Sequence, residues 1–160
     1  MAIFGDDLDP RVSVAAPFVA LASVSIVAGG FVAAATGPTD FDKGSWLAAY
    51  LVLVGGVALV ILGVGQAVFA RQAPSKPVIA TELAIWVLSA GAIIVGTLAE
   101  AVVFTIVGGL LLLGVLVLFV AAVRDASGIG GRLIWLYRAM IVILVVSIPI
   151  GLVLAWQRRT

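Results

Sequence analysis

The chain contains no cysteine and no histidine, and only 11% of its 160 residues are charged. Zinc sites, haem ligation and iron–sulfur clusters rely on His and Cys side chains. General acid–base catalysis at neutral pH most often uses His. These absences argue against an enzyme, and we expect no catalytic, cofactor-binding or metal-binding residue in this chain.

Apolar residues dominate what is present: they make up 64% of the chain, and the mean hydropathy is +1.32. A soluble domain is about half apolar and about a quarter charged. Because a bilayer leaves no partner for unpaired backbone groups, the segments that cross it are expected to be helical. The composition therefore predicts an all-α fold, an integral membrane helical bundle formed by a single domain over residues 1–160.

Five apolar runs, marked off by charges, Gly and Pro, are each long enough for a bilayer, which needs about 20 residues. The start, MAIFGDDLDPRVSV, is acidic and lacks the basic region of a secretory signal, so we expect the first run to be a retained helix. The predicted transmembrane spans are residues 12–36, 46–70, 78–99, 101–123 and 133–156.

Two glutamates stand in the apolar stretch from Thr81 to Phe104. Glu82 and Glu100 are 18 residues apart, which is about 27 Å along a helix. That length is close to the hydrocarbon thickness of about 30 Å, so one helix can hold one carboxylate near each interface. This predicts that Glu100 lies in a tight turn between spans three and four. The alternative is a bent or re-entrant unit with Glu100 at depth.

Lys and Arg in short loops set the orientation of a membrane protein. The N-terminal side would carry Arg11, Arg71, Lys76, Arg124, Arg132 and Arg138, and the opposite side Lys43, Arg158 and Arg159. The excess of six basic residues over three on the N-terminal side predicts a cytoplasmic N-terminus and an outside C-terminus.

Small residues recur every four positions on several spans, which lets helix backbones approach closely in lipid. We interpret these stripes as helix-packing faces, and the alternative is a water-filled substrate path. The predicted faces are Ser25, Gly29 and Ala33 on span one, Ala101, Thr105 and Gly109 on span four, and Ser147, Gly151 and Ala155 on span five.

A charge within the membrane is normally paired, or it snorkels to the interface. Glu82 and Arg138 are predicted at the same level on the same side, which suggests an ion pair between spans three and five. The alternative is that Arg138 snorkels to lipid phosphate. Aromatic residues at predicted span ends are expected to be interfacial anchors; these are Trp46, Trp135, Tyr137 and Trp156.

The run SWLAAYLVLVGGVALVILGVGQ, Ser45 to Gln66, resembles small hydrophobic multi-span membrane proteins of actinobacteria. Some of those proteins resemble accessory subunits of respiratory supercomplexes. The resemblance implies a bacterial plasma membrane and an electron-transport complex as host, and it implies no site residue.

These observations favour a non-catalytic accessory subunit of a larger membrane complex, with other integral membrane subunits and lipids as partners and no nucleic acid. The rival hypothesis is a small permease or channel that acts as a homo-oligomer, which should show polar residues at mid-membrane. A third possibility, an assembly or lipid-sensing factor, is not separated from the first by the sequence.

Overall fold

The structure is a computed structural model that describes the backbone of residues 10–124 and 131–157 and the side chains of residues 11–124 and 134–148. Its helices are α1 (Pro10–Thr36), α2 (Gly44–Phe69), α3 (Lys76–Leu98), α4 (Val102–Val123) and α5 (Gly131–Gln157). Every helix end lies within two residues of the predicted span end. The all-α membrane fold with about five spanning helices is therefore confirmed.

The length and composition of the first four helices suit a membrane crossing, and the described apolar part of the fifth, Ile134–Ile148, is shorter. Two prolines stand at helix starts, where proline is tolerated because the first turn has no intrahelical acceptor for its missing N–H. Pro10 opens α1, and Pro77 is the second residue of α3. Pro17 lies inside α1, where it removes one backbone donor.

The middle of α2, Leu51–Ala58, is wound as a π-helix, between α-helical segments Gly44–Tyr50 and Leu59–Phe69. A π-helix is wider than an α-helix and is usually confined to a single turn. This segment contains Gly55 and Gly56, both buried, and it packs against α1. Hydropathy did not predict the π segment, because widening the helix leaves the apolar run unchanged.

The α1–α2 hairpin is packed through small residues from both helices. A Cβ added at Gly29 would lie 3.0 Å from the Ala48 carbonyl oxygen, and one added at Gly55 would lie 3.0 Å from Ser25 Cβ. Ser25 and Gly29 thus lie in the interface, as the predicted face requires, whereas Ala33 is exposed. Each step of four residues turns about 40° around an α-helix, so the two steps from Ser25 to Ala33 turn about 80° and carry Ala33 out of the contact.

At the other end of this hairpin, a hydrogen bond from Arg11 joins the two helices. Arg11 Nη1, in the first turn of α1, donates to the Val68 carbonyl oxygen at 2.8 Å, near the end of α2. The last carbonyl groups of a helix have no intrahelical partner, and a cation at that end also interacts favourably with the helix dipole. The bond therefore ties the start of α1 to the end of α2.

The chain divides into two compact units, Met1–Lys76 and Pro77–Thr160. The first contains α1 and α2, and the second contains α3, α4 and α5. A single domain over residues 1–160 stays a prediction.

Glu100 lies in the turn between α3 and α4, as predicted: α3 ends at Leu98 and α4 begins at Val102. Its φ is 55°, in the left-handed region. The Ala101 N–H donates to the Gly96 carbonyl oxygen at 2.8 Å, a 6→1 bond that closes the helix end. Glycine is the residue that usually occupies this position, because a Cβ is disfavoured there.

We therefore expect Glu100→Gly to raise the free energy of unfolding by roughly 0.5–1 kcal/mol, after the entropic cost of glycine is subtracted from the left-handed penalty. Unfolding by SDS in mixed micelles would measure it. Glu100→Ala is the matched control, because it removes the carboxylate and keeps the Cβ. If the alanine variant is stabilised as much as the glycine variant, charge and not backbone conformation is responsible.

Candidate functional site

One side of α3 in the second unit carries buried polar and aromatic side chains. Glu82 and Ser89 are fully buried, and Trp86 is 2% exposed. Their spacing, i, i+4 and i+7, puts all three on one helical face. Neighbours on other faces are exposed, among them Val87 and Leu88. We call Glu82, Trp86, Ser89 and Tyr137, which lies within electrostatic range of Glu82, the polar cluster.

The α4 helix covers the middle of this face. The Ser89 hydroxyl donates to the Gly108 carbonyl oxygen at 2.8 Å. The Trp86 and Phe119 rings meet edge to face, with centroids 6.3 Å apart and planes at 89°. Gly108 makes the approach possible, because a Cβ there would lie 2.8 Å from the Ser89 carbonyl oxygen and 2.9 Å from the Ile93 nitrogen.

The α5 helix contributes Tyr137, which is 3% exposed and lies within electrostatic range of the Glu82 carboxyl group. Ile141, one turn further along, is also buried. Arg138 is exposed, and no contact in the part of the chain that the structure describes joins it to Glu82. The structure thus brings Tyr137 towards Glu82 and does not bring together the predicted Glu82–Arg138 pair. Adjacent helical residues point about 100° apart, which is why one is inside and the other outside.

Tyr137 was also predicted to be an interfacial anchor; its side chain is buried against its neighbours, and the anchor role stays a prediction. Trp135, two residues earlier, is 70% exposed, as an anchor would be. Trp46 is partly exposed and stacks on Tyr50, with centroids 5.3 Å apart. Trp156 lies outside the described side chains.

The indole of Trp86 adds an unusual feature to the polar cluster. Its Nε1 is buried, and none of the described residues accepts its hydrogen. A buried donor without an acceptor costs about 1–3 kcal/mol, so such groups call for an explanation. No three acidic side chains converge on a metal-binding geometry within residues 10–124 and 131–157.

In the other two predicted packing faces, some residues contact a neighbouring helix and others are exposed. Thr105 and Ala101 contact α3 at Gly96: a Cβ there would lie 2.5 Å from the Thr105 nitrogen and 3.1 Å from the Ala101 carbonyl oxygen. Gly109 is buried. Ser147 is exposed, and its hydroxyl donates to the Leu144 carbonyl oxygen of its own helix at 2.9 Å. The surroundings of Gly151 and Ala155 lie outside the described residues.

Ser89→Ala should lower the free energy of unfolding by about 0.6 kcal/mol, the typical value for a hydrogen bond between membrane helices. Denaturation in mixed micelles would measure the change. Ser147→Ala is the matched control in the same unit, because Ser147 is exposed and bonded within its own helix. An equal effect of the two substitutions would contradict the interhelical role of Ser89.

A second surface lies on α1, on the side away from α2. Its residues are exposed and, with one exception, small, and they follow the spacing i, i+4, i+7, i+11, i+14 and i+18. We call this surface the α1 seam: Ala16, Ala20, Ser23, Val27, Gly30 and Ala34. A Cβ added at Gly30 would meet nothing within 4 Å. Small residues occur on both sides of α1, so counting every fourth position did not separate the seam from the α2 contact. A repeat of 3.5 residues, in which steps of four and three residues alternate, would have separated them.

Comparison of this chain with protein-family models, with curated proteins and with solved structures gave no match.

Proposed function

We propose that this chain is a non-catalytic accessory subunit of a larger membrane protein complex, and that the α1 seam contacts a transmembrane helix of another subunit. The observation that carries the proposal is the exposed run of small residues on α1, opposite the side that packs on α2. A helix that faced only lipid there would have no need for small side chains.

The physical argument concerns what brings helices together in lipid. Lipid tails are as apolar as leucine, so helix association depends on close packing, which small side chains allow. Ala20, Ser23 and Gly30 have a short side chain or none on the exposed side of α1. Larger side chains such as Val24 and Phe31, both exposed, lie beside the seam. The small residues of the seam therefore suit contact with another helix, and the larger residues beside it suit contact with acyl chains.

The preferred host is a bacterial respiratory, electron-transport supercomplex in the plasma membrane. Its support is the resemblance of Ser45 to Gln66 to actinobacterial membrane proteins. The excess of Lys and Arg in the loops on the N-terminal side favours a cytoplasmic N-terminus and an outside C-terminus. Reporter fusions at each terminus would test this orientation, and an outside N-terminus would contradict it.

Purification in mild detergent through a C-terminal tag tests the subunit role. We expect near-stoichiometric integral membrane partners by mass spectrometry, with haem absorption supplied by those partners if the host is respiratory. Gly30→Leu should remove the partners. Gly114→Leu, on α4, is the matched control, because a Cβ at Gly114 also meets nothing within 4 Å. Purification without any partner would contradict the proposal.

The buried Glu82 favours a second candidate, a small permease or channel that acts as a homo-oligomer. Ionisable residues inside membrane proteins often belong to a transport path. Reconstitution into liposomes tests it: substrate or ion flux that Glu82→Gln abolishes would favour this candidate over the subunit role.

A further inference from the structure

We propose that one end of the first unit binds an anionic phospholipid, with the lipid phosphate on Arg11 and Arg71 and the acyl chains on the exposed apolar residues of α2. We call Arg11, Arg71 and Lys76 the basic end. The ligand is a lipid and not a protein, and the site is distinct from the α1 seam. The proposal therefore holds or fails independently of the subunit role.

The first support is the distribution of charge along the α1–α2 hairpin. From Pro10 to Lys76 the sequence has only two acidic residues, Asp40 and Asp42. Both are exposed and lie in the turn between α1 and α2, beside Lys43. The hairpin thus has an excess of negative charge at this turn and an excess of positive charge at the basic end, which attracts anions.

The second support is the position of the two arginines, both of which are exposed. The hydrogen bond from Arg11 Nη1 to the Val68 carbonyl oxygen holds this guanidinium at the end of α2. Arg71 follows Val68 by three residues, which span at most about 11 Å, so the two arginines lie at the same end of the hairpin. Because α1 begins at Pro10 and α2 ends at Phe69, this end lies at the level expected for lipid headgroups.

Arginine suits the phosphate of a lipid. Its planar guanidinium has five N–H donors and binds phosphate oxygens in a bidentate fork. Arg11 can therefore contact a phosphate while its bond to the Val68 carbonyl oxygen is kept. Basic residues between transmembrane helices at the membrane surface bind anionic lipid headgroups in this way.

The third support is an apolar surface that leads away from the arginines into the membrane. Ile61, Val64 and Val68 are exposed, and their spacing, i, i+3 and i+7, puts them on one face of α2. Val68 is also the residue whose carbonyl oxygen accepts the Arg11 hydrogen bond. Charge above an apolar surface matches a phospholipid, whereas a free phosphate would use the charges alone.

Three acidic residues precede the basic end in the sequence. Asp6, Asp7 and Asp9 lie outside the described residues, close to Arg11 along the chain. Carboxylates near an arginine compete with a phosphate for its donors. The full chain contains them, so any lipid affinity measured on it already includes this competition.

Native mass spectrometry of the full chain in mild detergent, titrated with phosphatidylglycerol or with phosphatidylcholine of the same acyl chains, tests the site. We expect the anionic lipid to bind at least about fivefold more tightly, the effect of one basic residue near an anionic surface. Arg71→Gln should weaken phosphatidylglycerol binding about fivefold and leave phosphatidylcholine binding unchanged. Arg71 is exposed and follows the end of α2, so its replacement leaves the α1–α2 packing intact.

Lys43→Gln is the matched control, because it removes one positive charge from the opposite end of the same hairpin, and we expect it to leave both affinities unchanged. Equal affinity of the unaltered chain for the two lipids, or equal weakening by the two substitutions, would overturn the proposal. Glycerol 3-phosphate, which has the phosphate without acyl chains, separates a lipid from a free anion. At matched ionic strength an excess should leave phosphatidylglycerol bound, and its displacement would contradict a phospholipid site.

Discussion

Gly108→Ala is expected to lower the free energy of unfolding by about 2 kcal/mol, within the range for overpacked cores. The new Cβ would lie 2.8 Å from the Ser89 carbonyl oxygen and 2.9 Å from the Ile93 nitrogen. Both are backbone atoms, so no side-chain rotation relieves the contact, and α3 and α4 must move apart. The separation would also stretch the Ser89–Gly108 hydrogen bond, which is 2.8 Å long.

Unfolding by SDS in mixed micelles measures this loss, and Gly114→Ala is the matched control on the same helix. A Cβ at Gly114 meets nothing within 4 Å, so we expect a change of no more than about 0.5 kcal/mol, as for surface substitutions. If both variants lose stability equally, the loss reflects replacement of any α4 glycine and not the close approach to α3.

Trp86→Ala is expected to lower the free energy of unfolding by roughly 3 kcal/mol. The indole is 2% exposed and meets Phe119 edge to face. Removing it leaves a cavity between α3 and α4 and also removes the aromatic contact, which contributes about 0.5–1.5 kcal/mol.

Two variants control for this result. Trp135→Ala removes an indole that is 70% exposed, and we expect a change within about 0.5 kcal/mol. Trp86→Phe keeps most of the packing and removes the buried Nε1 donor, so it should cost far less than Trp86→Ala. A loss in Trp86→Phe as large as that in Trp86→Ala would show that the N–H and not the ring volume stabilises the unit.

The spans could be predicted from the sequence because one physical requirement, about 20 apolar residues per crossing, acts on each segment separately. The position of Glu100 followed for the same reason: two spans of that length leave only a tight turn between Val78 and Val123. The left-handed φ of 55° at Glu100 is a consequence of that short connection and is not encoded by glycine at this position.

The side-chain environments were harder to predict, because nearly every residue of a span is apolar and the pattern does not identify the inner face. Ser25 and Gly29 lie against α2, whereas Ala33 of the same predicted face is exposed. Tyr137 and Arg138 are adjacent, and only the packing of α5 determines which of them faces Glu82. The polar cluster depends on helix rotation, which the sequence of a single chain does not fix.

Site-specific cross-linking in the native membrane is the most direct test of the subunit role. Because the chain has no cysteine, Ser23→Cys and Val24→Cys each introduce a single thiol for a photoreactive maleimide. Ser23 lies on the α1 seam, while Val24, 66% exposed, lies about 100° around the helix. The subunit role predicts that position 23 cross-links to another integral membrane polypeptide far more strongly than position 24. Cross-links from position 23 to a second copy of this chain alone, or equal yields at both positions, would contradict it.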